Sequence, residues 1–420
     1  MTSTVHAPEL SQLRLGYIPL TDAAPLVVAR ERGYFERHGL AVRLSRQPSW
    51  ATLRDKLAIG QIDGAHLLAP MALACSVGVE GVGQALVTAL SMGLNGNAIT
   101  VADWLYREMQ EAARGQPVTA ASLAGVVSRR RAAGTEPLTF ASVYPLSNHT
   151  YQLRYWLTAG GVDPDRDIRL AVAPPPQMVQ RLRAGSIDGY CVGAPWNTLA
   201  VQQGVGRIVS TGYEVWNNAP EKVLAVGGAW AQRYPATHAA LVCAIVEAAQ
   251  WLDESPQHRL QAAELLARET YLDLPFEAVA CSLLGRLPTD ASGTARELPD
   301  FHVFYRYAAT FPWRSHALWM LAQMQRCGQL PRDTTLSAVA QRVYRPDLYR
   351  LAVARLGIPV PAIDHKTEGH HGAGWVLGAG ANRVEMGADR FIDGALFDPL
   401  IYGSETPVAS AVQLGGASRF

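Results

Sequence analysis

The sequence predicts an α/β protein built of two similar doubly wound lobes with one ligand cleft between them. Residues 13–70 read strand, helix, strand, helix, strand, the order that winds a parallel sheet and gathers ligands at the carboxyl ends of its strands. The same order starts again at Leu138. A third observation ties the two halves together: residues 49–70 (SWATLRDKLAIGQIDGAHLLAP) match residues 174–197 (PPPQMVQRLRAGSIDGYCVGAPWN) in register and without a gap. Gly60, Ile62, Asp63, Gly64 and Pro70 recur as Gly185, Ile187, Asp188, Gly189 and Pro195, each 125 residues further on. A repeated helix, turn and buried strand is the mark of two lobes rather than one long sheet.

Taken in order, RLGYIP is a short apolar run that suits a buried parallel strand, and Thr21 or Asp22 after it can cap a helix with Pro25 in its first turn. That helix carries Leu26, Val27 and Ala29 and ends near Gly33, and FERHGLAVRLS holds the second strand. Trp50 opens the next helix, Gly60 closes it, and IDGAHLL is the third strand. Residues 87–101, with the Asn95-Gly96-Asn97 turn inside, leave the first lobe as a strand pair. Residues 102–136, including the basic run at 129–131, read as helical and exposed. Residues 138–143 begin the second lobe, Ser147-Asn148-His149 open a helix through YQLRYWLTAGG, and IRLAVA is the strand before the repeated unit. The chain crosses back near 216–222, since EKVLAVGGAWAQRYP reads as strand and helix, and stays helical to about 349, with amphipathic faces at 239–252 and 318–324. After Pro359 the sequence turns glycine-rich and aperiodic, an extension with little core of its own. The domains predicted are therefore 12–100 with 217–350 as lobe 1, 101–216 as lobe 2, and 351–420 as an extension wrapped on the lobes with a flexible end.

Composition narrows the function. At 420 residues with 49% hydrophobic and 17% charged residues, the chain can bury large cores, and a net charge of +1 supplies no electrostatic footprint for nucleic acid or an acidic membrane. No stretch reaches the roughly 18 apolar residues of a spanning helix. The first residues, MTSTVHAPELSQLRLGYIPL, lack the features of a secretory signal, so the expected location is the cytoplasm. Cys75, Cys191, Cys243, Cys281 and Cys327 show neither CxxC nor zinc-type spacing, which suits reduced, packed thiols. Walker A, GxSxG, HExxH and GxGxxG motifs are missing, so no enzymatic role is expected.

Five residues are candidates to face the cleft. Trp50 offers an uncharged donor, although packing alone also places a Trp at a helix start. Asn97 is a donor or simply a turn residue. His149, at a strand-to-helix junction, can donate to an anion beside a helix N-terminus, or act as a cap. Gly193 in CVGAPWN allows close backbone approach, or makes a turn. Lys222 is a cation set among apolar residues where most lysines are solvated. The set holds one positive charge, neutral donors and no carboxylate, which suits a small monovalent oxyanion and not a metal. The His370-His371 pair reads as solvated.

At LTDAAPLVVARERGYFERHGL, ASVYP, HTYQLRYWLTAGGVDPDRDI, PPPQMV, CVGAPWN, PEKVLA, PWRSHALW and FIDGALFDP the chain resembles the nitrate-binding proteins of ABC transporters, the nitrate and bicarbonate branch of class II periplasmic-type binding proteins. The resemblance implies the two-lobed periplasmic-binding-protein type II fold. It carries the nitrate site over as Trp50, Asn97 (where the transport proteins are expected to have Gln), His149, Gly193 and Lys222, with no cofactor. Ala194 stands where those proteins are expected to have Glu. Bicarbonate-binding relatives are expected to use an acidic residue and calcium near the crossover, where this chain has Lys222, and this favours nitrate or nitrite. Joined to the expected cytoplasmic location, the resemblance points to the NasS-type nitrate/nitrite sensors, which hold an RNA-binding antiterminator of the ANTAR type and release it when the anion binds. It implies no direct nucleic-acid or membrane contact. The alternative is the substrate-binding component of an ABC nitrate/nitrite importer.

Overall fold

In the computed structural model, which describes residues 7–79, 83 and 85–402, the chain opens as β1 (Gln12–Tyr17), α1 (Ala24–Glu31), β2 (Ala41–Arg46), α2 (Trp50–Ala58) and β3 (Gly64–Leu68). β1 pairs in parallel with both β2 and β3, so the expected winding is present. β4 (Leu86–Val87) and β5 (Leu94–Asn95) follow, and the chain then turns into the other lobe through Asn95 and Gly96, both with positive φ. Glycine is required at 96: a Cβ there would lie 2.3 Å from the His302 ring.

The second sheet is made by β6 (Asn97–Ala102), β7 (Leu138–Ser142), β8 (Ile168–Val172), β9 (Gly189–Gly193) and β10 (Gly206–Thr211) in the order β10-β6-β9-β7-β8. It takes up its first strand at Asn97, so residues 97–100, read from the sequence as the end of lobe 1, pair with lobe 2. Between β7 and β8 runs α3 (Asn148–Ala159), and β11 (Lys222–Gly227) returns to complete the first sheet as β2-β1-β3-β11-β4. The helices at Asp103–Ala113 and Ala120–Ala132 are not wholly exposed, since Leu105, Met109, Leu123 and Val126 pack inward.

The repeat seen in the sequence is a repeat of contacts. Asp63 accepts from the Arg14 amide at 2.7 Å and its own amide donates to the Arg14 carbonyl at 2.8 Å; Asp188 makes the same pair with Thr139, both at 2.7 Å. Gly64 lies opposite Leu15 and Gly189 opposite Phe140, again at the common offset. Each aspartate thus ties the start of one parallel strand to the turn before the next, fixing the register of its lobe.

After β11, α4 (Pro235–Glu254) is buried along most of its length, with Leu241, Ile245 and Leu252 in the same core as Val27 of α1. The expected helical run is broken between 286 and 303, where Arg286–Pro288 pairs with Ala295–Glu297 and His302–Val303 pairs with β5. α5 (Arg314–Arg326) then packs its apolar face into the other core. Residues 390–392 of the extension lie against the segment before β11: the Asn217 amide donates to the Arg390 carbonyl and the Ile392 amide to the Val215 carbonyl, both at 2.9 Å, and Phe391 stacks on Trp216 with ring centroids 4.8 Å apart. The extension also buries an ionic cluster that an apolar-pattern reading misses, in which Glu368 pairs with Lys366 and accepts from Ser315 at 2.8 Å. Of the His370-His371 pair, His370 is exposed, while His371 is half-buried, 3.1 Å from Asp389 and stacked on Trp375. Residues 403–420, on which the expected flexible end falls, lie outside the described residues.

Candidate functional site

Each candidate residue sits at the end of an element, on the side where the lobes meet. Ser49 caps α2 by accepting from the Thr52 amide at 3.2 Å, and this places Trp50 in the first turn, 1% exposed. Ser147 caps α3 in the same way through Thr150 and sets His149, fully buried, in that first turn. Asn97 begins β6 and faces Gly193, the last residue of β9, directly across the antiparallel ladder. A Cβ on Gly193 would lie 3.5 Å from Asn97 Oδ1 and from Leu20 of the other lobe, so the glycine keeps that space free of side chain. Lys222 begins β11, 1% exposed, with Nζ 5.5 Å from the Trp50 ring centroid. Contacts link all five into one buried cluster, with Trp50 and Lys222 from lobe 1 and Asn97, His149 and Gly193 from lobe 2.

The cluster is not free of carboxylates, and the charge expected from the sequence is corrected here. Lys222 Nζ pairs with Asp22 at 2.8 Å and with Glu221 at 3.1 Å, both carboxylates being buried. Asp22 does not cap a helix; its other oxygen lies 3.3 Å from His66 Nε2. Glu221 accepts from Asn97 Nδ2 at 2.7 Å and stands 3.7 Å from His149 Nδ1, while Asn97 also donates to Gln152 at 3.1 Å. Asp22, in the short turn after β1, His66, inside β3, Gln152, inside α3, and Glu221, just before β11, were missed because their partners are distant along the chain and local periodicity does not mark them. The one available signal was Glu221, directly before Lys222.

Burial and neighbours set the protonation states. Burial pushes the Asp22 carboxyl up, but Lys222 and His66 outweigh it and hold it below the usual carboxylate range. Burial wins at Glu221, whose pKa is raised in spite of Lys222 and Asn97. At Lys222 burial is outweighed by the two carboxylates, so its pKa is raised and it stays charged. Burial and then Lys222 hold His149 well below its ordinary value, so it is a neutral imidazole.

Several buried polar atoms of the cluster have no hydrogen-bond partner among the described residues: Trp50 Nε1, Asn97 Oδ1, both ring nitrogens of His149 and Nδ1 of His66. Such atoms are costly unless they serve a ligand. α2 and α3 both start here, adding first-turn amides and the positive ends of their dipoles. The lobes are closed over the cluster. The Thr21 amide donates to the Ala194 carbonyl at 3.0 Å, Trp196 Nε1 to the Pro19 carbonyl at 3.3 Å, and Asn148 Nδ2 to the Pro220 carbonyl at 2.7 Å. Buried donors brought together from both lobes can recognise a small oxyanion by hydrogen bonds on several sides.

A family profile described as NMT1-like matches residues 6–267, more than half of the chain. The chain belongs to the NMT1-like family. This NMT1-like chain is 31% identical over 408 residues to the nitrate/nitrite binding protein NrtA of Nostoc sp. strain PCC 7120, covering 94% of this chain and 86% of that one. It is 40% identical over 359 residues to the nitrate import ATP-binding protein NrtC of Synechocystis sp. strain PCC 6803, covering 85% of this chain but only 52% of the relative, so it spans about half the length of that protein. In three dimensions it follows the crystal structure of the periplasmic nitrate-binding protein NrtA from Synechocystis PCC 6803 with a TM-score of 0.83 and 29% identity, covering 95% and 98% of the two chains. The architecture is thus the two-lobed periplasmic-binding-protein type.

Proposed function

We propose that this chain binds nitrate or nitrite between its lobes and reports the bound anion to a protein partner. The observation that carries the reading is the closed cluster in which Trp50, His149 and Lys222 present donors from both lobes toward one space beside Gly193 and Asn97. The likeness to NrtA over 94% of the chain supports the choice of anion. In the finer reading, the chain works in the cytoplasm as a sensor: it holds an ANTAR-type antiterminator in one lobe arrangement and releases it when the anion favours the closed one. An anion can move that balance only by its differential affinity for the two arrangements, and a coupling of about 1–3 kcal/mol gives a 5- to 150-fold change in partner affinity. The second reading, a binding component for an ABC importer, is favoured by the names of the relatives.

Mixing the purified chain with an ANTAR-type antiterminator and adding nitrate separates the two. The sensor reading expects a complex that dissociates on addition of nitrate. A chain that binds nitrate but never forms the complex supports the importer reading instead.

Trp50→Phe gives a narrower test of the site. It keeps an aromatic ring near Lys222 and removes one N–H that has no partner among the described residues; because Trp50 is buried, the lost second ring leaves a cavity that should cost about 1–3 kcal/mol while the fold is kept. A hydrogen bond to an anion is worth about 1.5–3 kcal/mol, so nitrate affinity should fall on the order of 10- to 100-fold by calorimetry. Unchanged affinity removes Trp50 from the site.

A further inference from the structure

We propose that Glu221 is the proton-binding and specificity-determining residue of the anion site, and that each anion bound carries one proton into the cleft. The inference rests on the anion-binding reading above and deepens it. The buried charges at the centre are two carboxylates, Asp22 and Glu221, against one ammonium, Lys222. Adding an anion to that set without a proton would place three negative charges around one positive charge among buried groups, where such repulsion is weakly screened.

The geometry selects Glu221 as the carrier. Asp22 is held by Lys222 at 2.8 Å with His66 at 3.3 Å on its other oxygen, a setting that stabilises the ionised form. One oxygen of Glu221 is fixed by Asn97 at 2.7 Å, and the other lies between Lys222 at 3.1 Å and His149 at 3.7 Å. The ionised Asp22 also acts on Glu221 and favours its protonation, while Cys191 of β9 and Tyr344, both held neutral chiefly by burial, do not relieve its charge. Burial also raises the affinity of Glu221 itself for a proton.

In the ionised state Glu221 competes with the ligand for Lys222. When its free oxygen takes a proton from solvent, one O–H bond forms, Lys222 loses one of its two carboxylate partners, and the carboxyl becomes a donor. The site then presents Lys222, Trp50 Nε1 and the Glu221 hydroxyl to oxygens that only accept, as those of nitrate do. Because the anion binds the protonated form, affinity is full below the pKa of free Glu221 and falls as pH rises through it.

Calorimetric titration with sodium nitrate, at several pH values and in buffers of different ionisation enthalpy, tests this on the unmodified protein. The expected result is uptake of close to one proton per nitrate at the alkaline end, with the Kd weakening about tenfold per pH unit there. Glu221→Gln, whose amide is a permanent donor, should flatten the profile and remove the uptake. Nitrate binding without proton uptake in the unmodified protein overturns the inference and leaves the binding reading intact. Proton uptake that persists in Glu221→Gln also overturns it, by placing the proton elsewhere. Absence of nitrate binding at every pH sinks the binding reading and the inference with it.

Discussion

Lys222→Ala is expected to abolish nitrate binding and to destabilise the fold by about 3–5 kcal/mol, because it leaves Asp22 and Glu221 buried with no cation between them. The two effects have one origin, and a second variant separates them. Lys222→Met with Asp22→Asn and Glu221→Gln removes the three charges as a unit, since the two amides can face the polar cluster and Met fills the lysine stem against Trp50. Much of the lost stability should return in thermal or denaturant unfolding, while nitrate binding stays absent. If Lys222→Ala still binds nitrate with unchanged affinity, Lys222 is a structural cation only and the site lies elsewhere.

Phe391→Ala should cost about 3 kcal/mol, the usual range for emptying an aromatic site in a packed core. Phe391 is 5% exposed and packs against Trp216 at 4.8 Å, Tyr155 at 5.6 Å and Trp319 at 6.2 Å between ring centroids. It therefore fastens the segment that returns to lobe 1 to α3 of lobe 2 and to α5. Denaturant unfolding at equilibrium measures the loss. An unchanged midpoint would show that the extension rests on the lobes without stabilising them. Loss of stability should come with weaker nitrate binding, because Trp216 lies six residues before Lys222 on the segment that positions β11.

The parts of this structure that were legible in the sequence are those fixed by local periodicity and repetition. The offset shared by Gly60 and Gly185 is the offset shared by the Asp63–Arg14 and Asp188–Thr139 clamps, so a match of letters was a match of hydrogen bonds. The helix starts at Trp50 and Asn148 follow serine caps visible in the sequence. What was not legible depends on partners far apart along the chain. Asp22 reads as a cap because nothing near it announces Lys222, and Glu221 drew no assignment at all. His302 pairs with β5 and donates to or accepts from Thr21 at 2.9 Å, inside a stretch whose composition suggested helix. Sequence periodicity reports which face is apolar; it does not report which polar strand ends converge. The glycine-rich extension shows the same limit, since its anchors at Glu368 and Phe391 are single residues without a pattern.

The most direct measurement is a calorimetric titration of the purified chain with nitrate near neutral pH. A closed cluster with donors from both lobes predicts saturable binding of one nitrate per chain with a Kd tighter than about 1 mM, corresponding to more than about 4 kcal/mol. Heat that never saturates, or no heat in any buffer together with no change in the unfolding midpoint on adding nitrate, would contradict it.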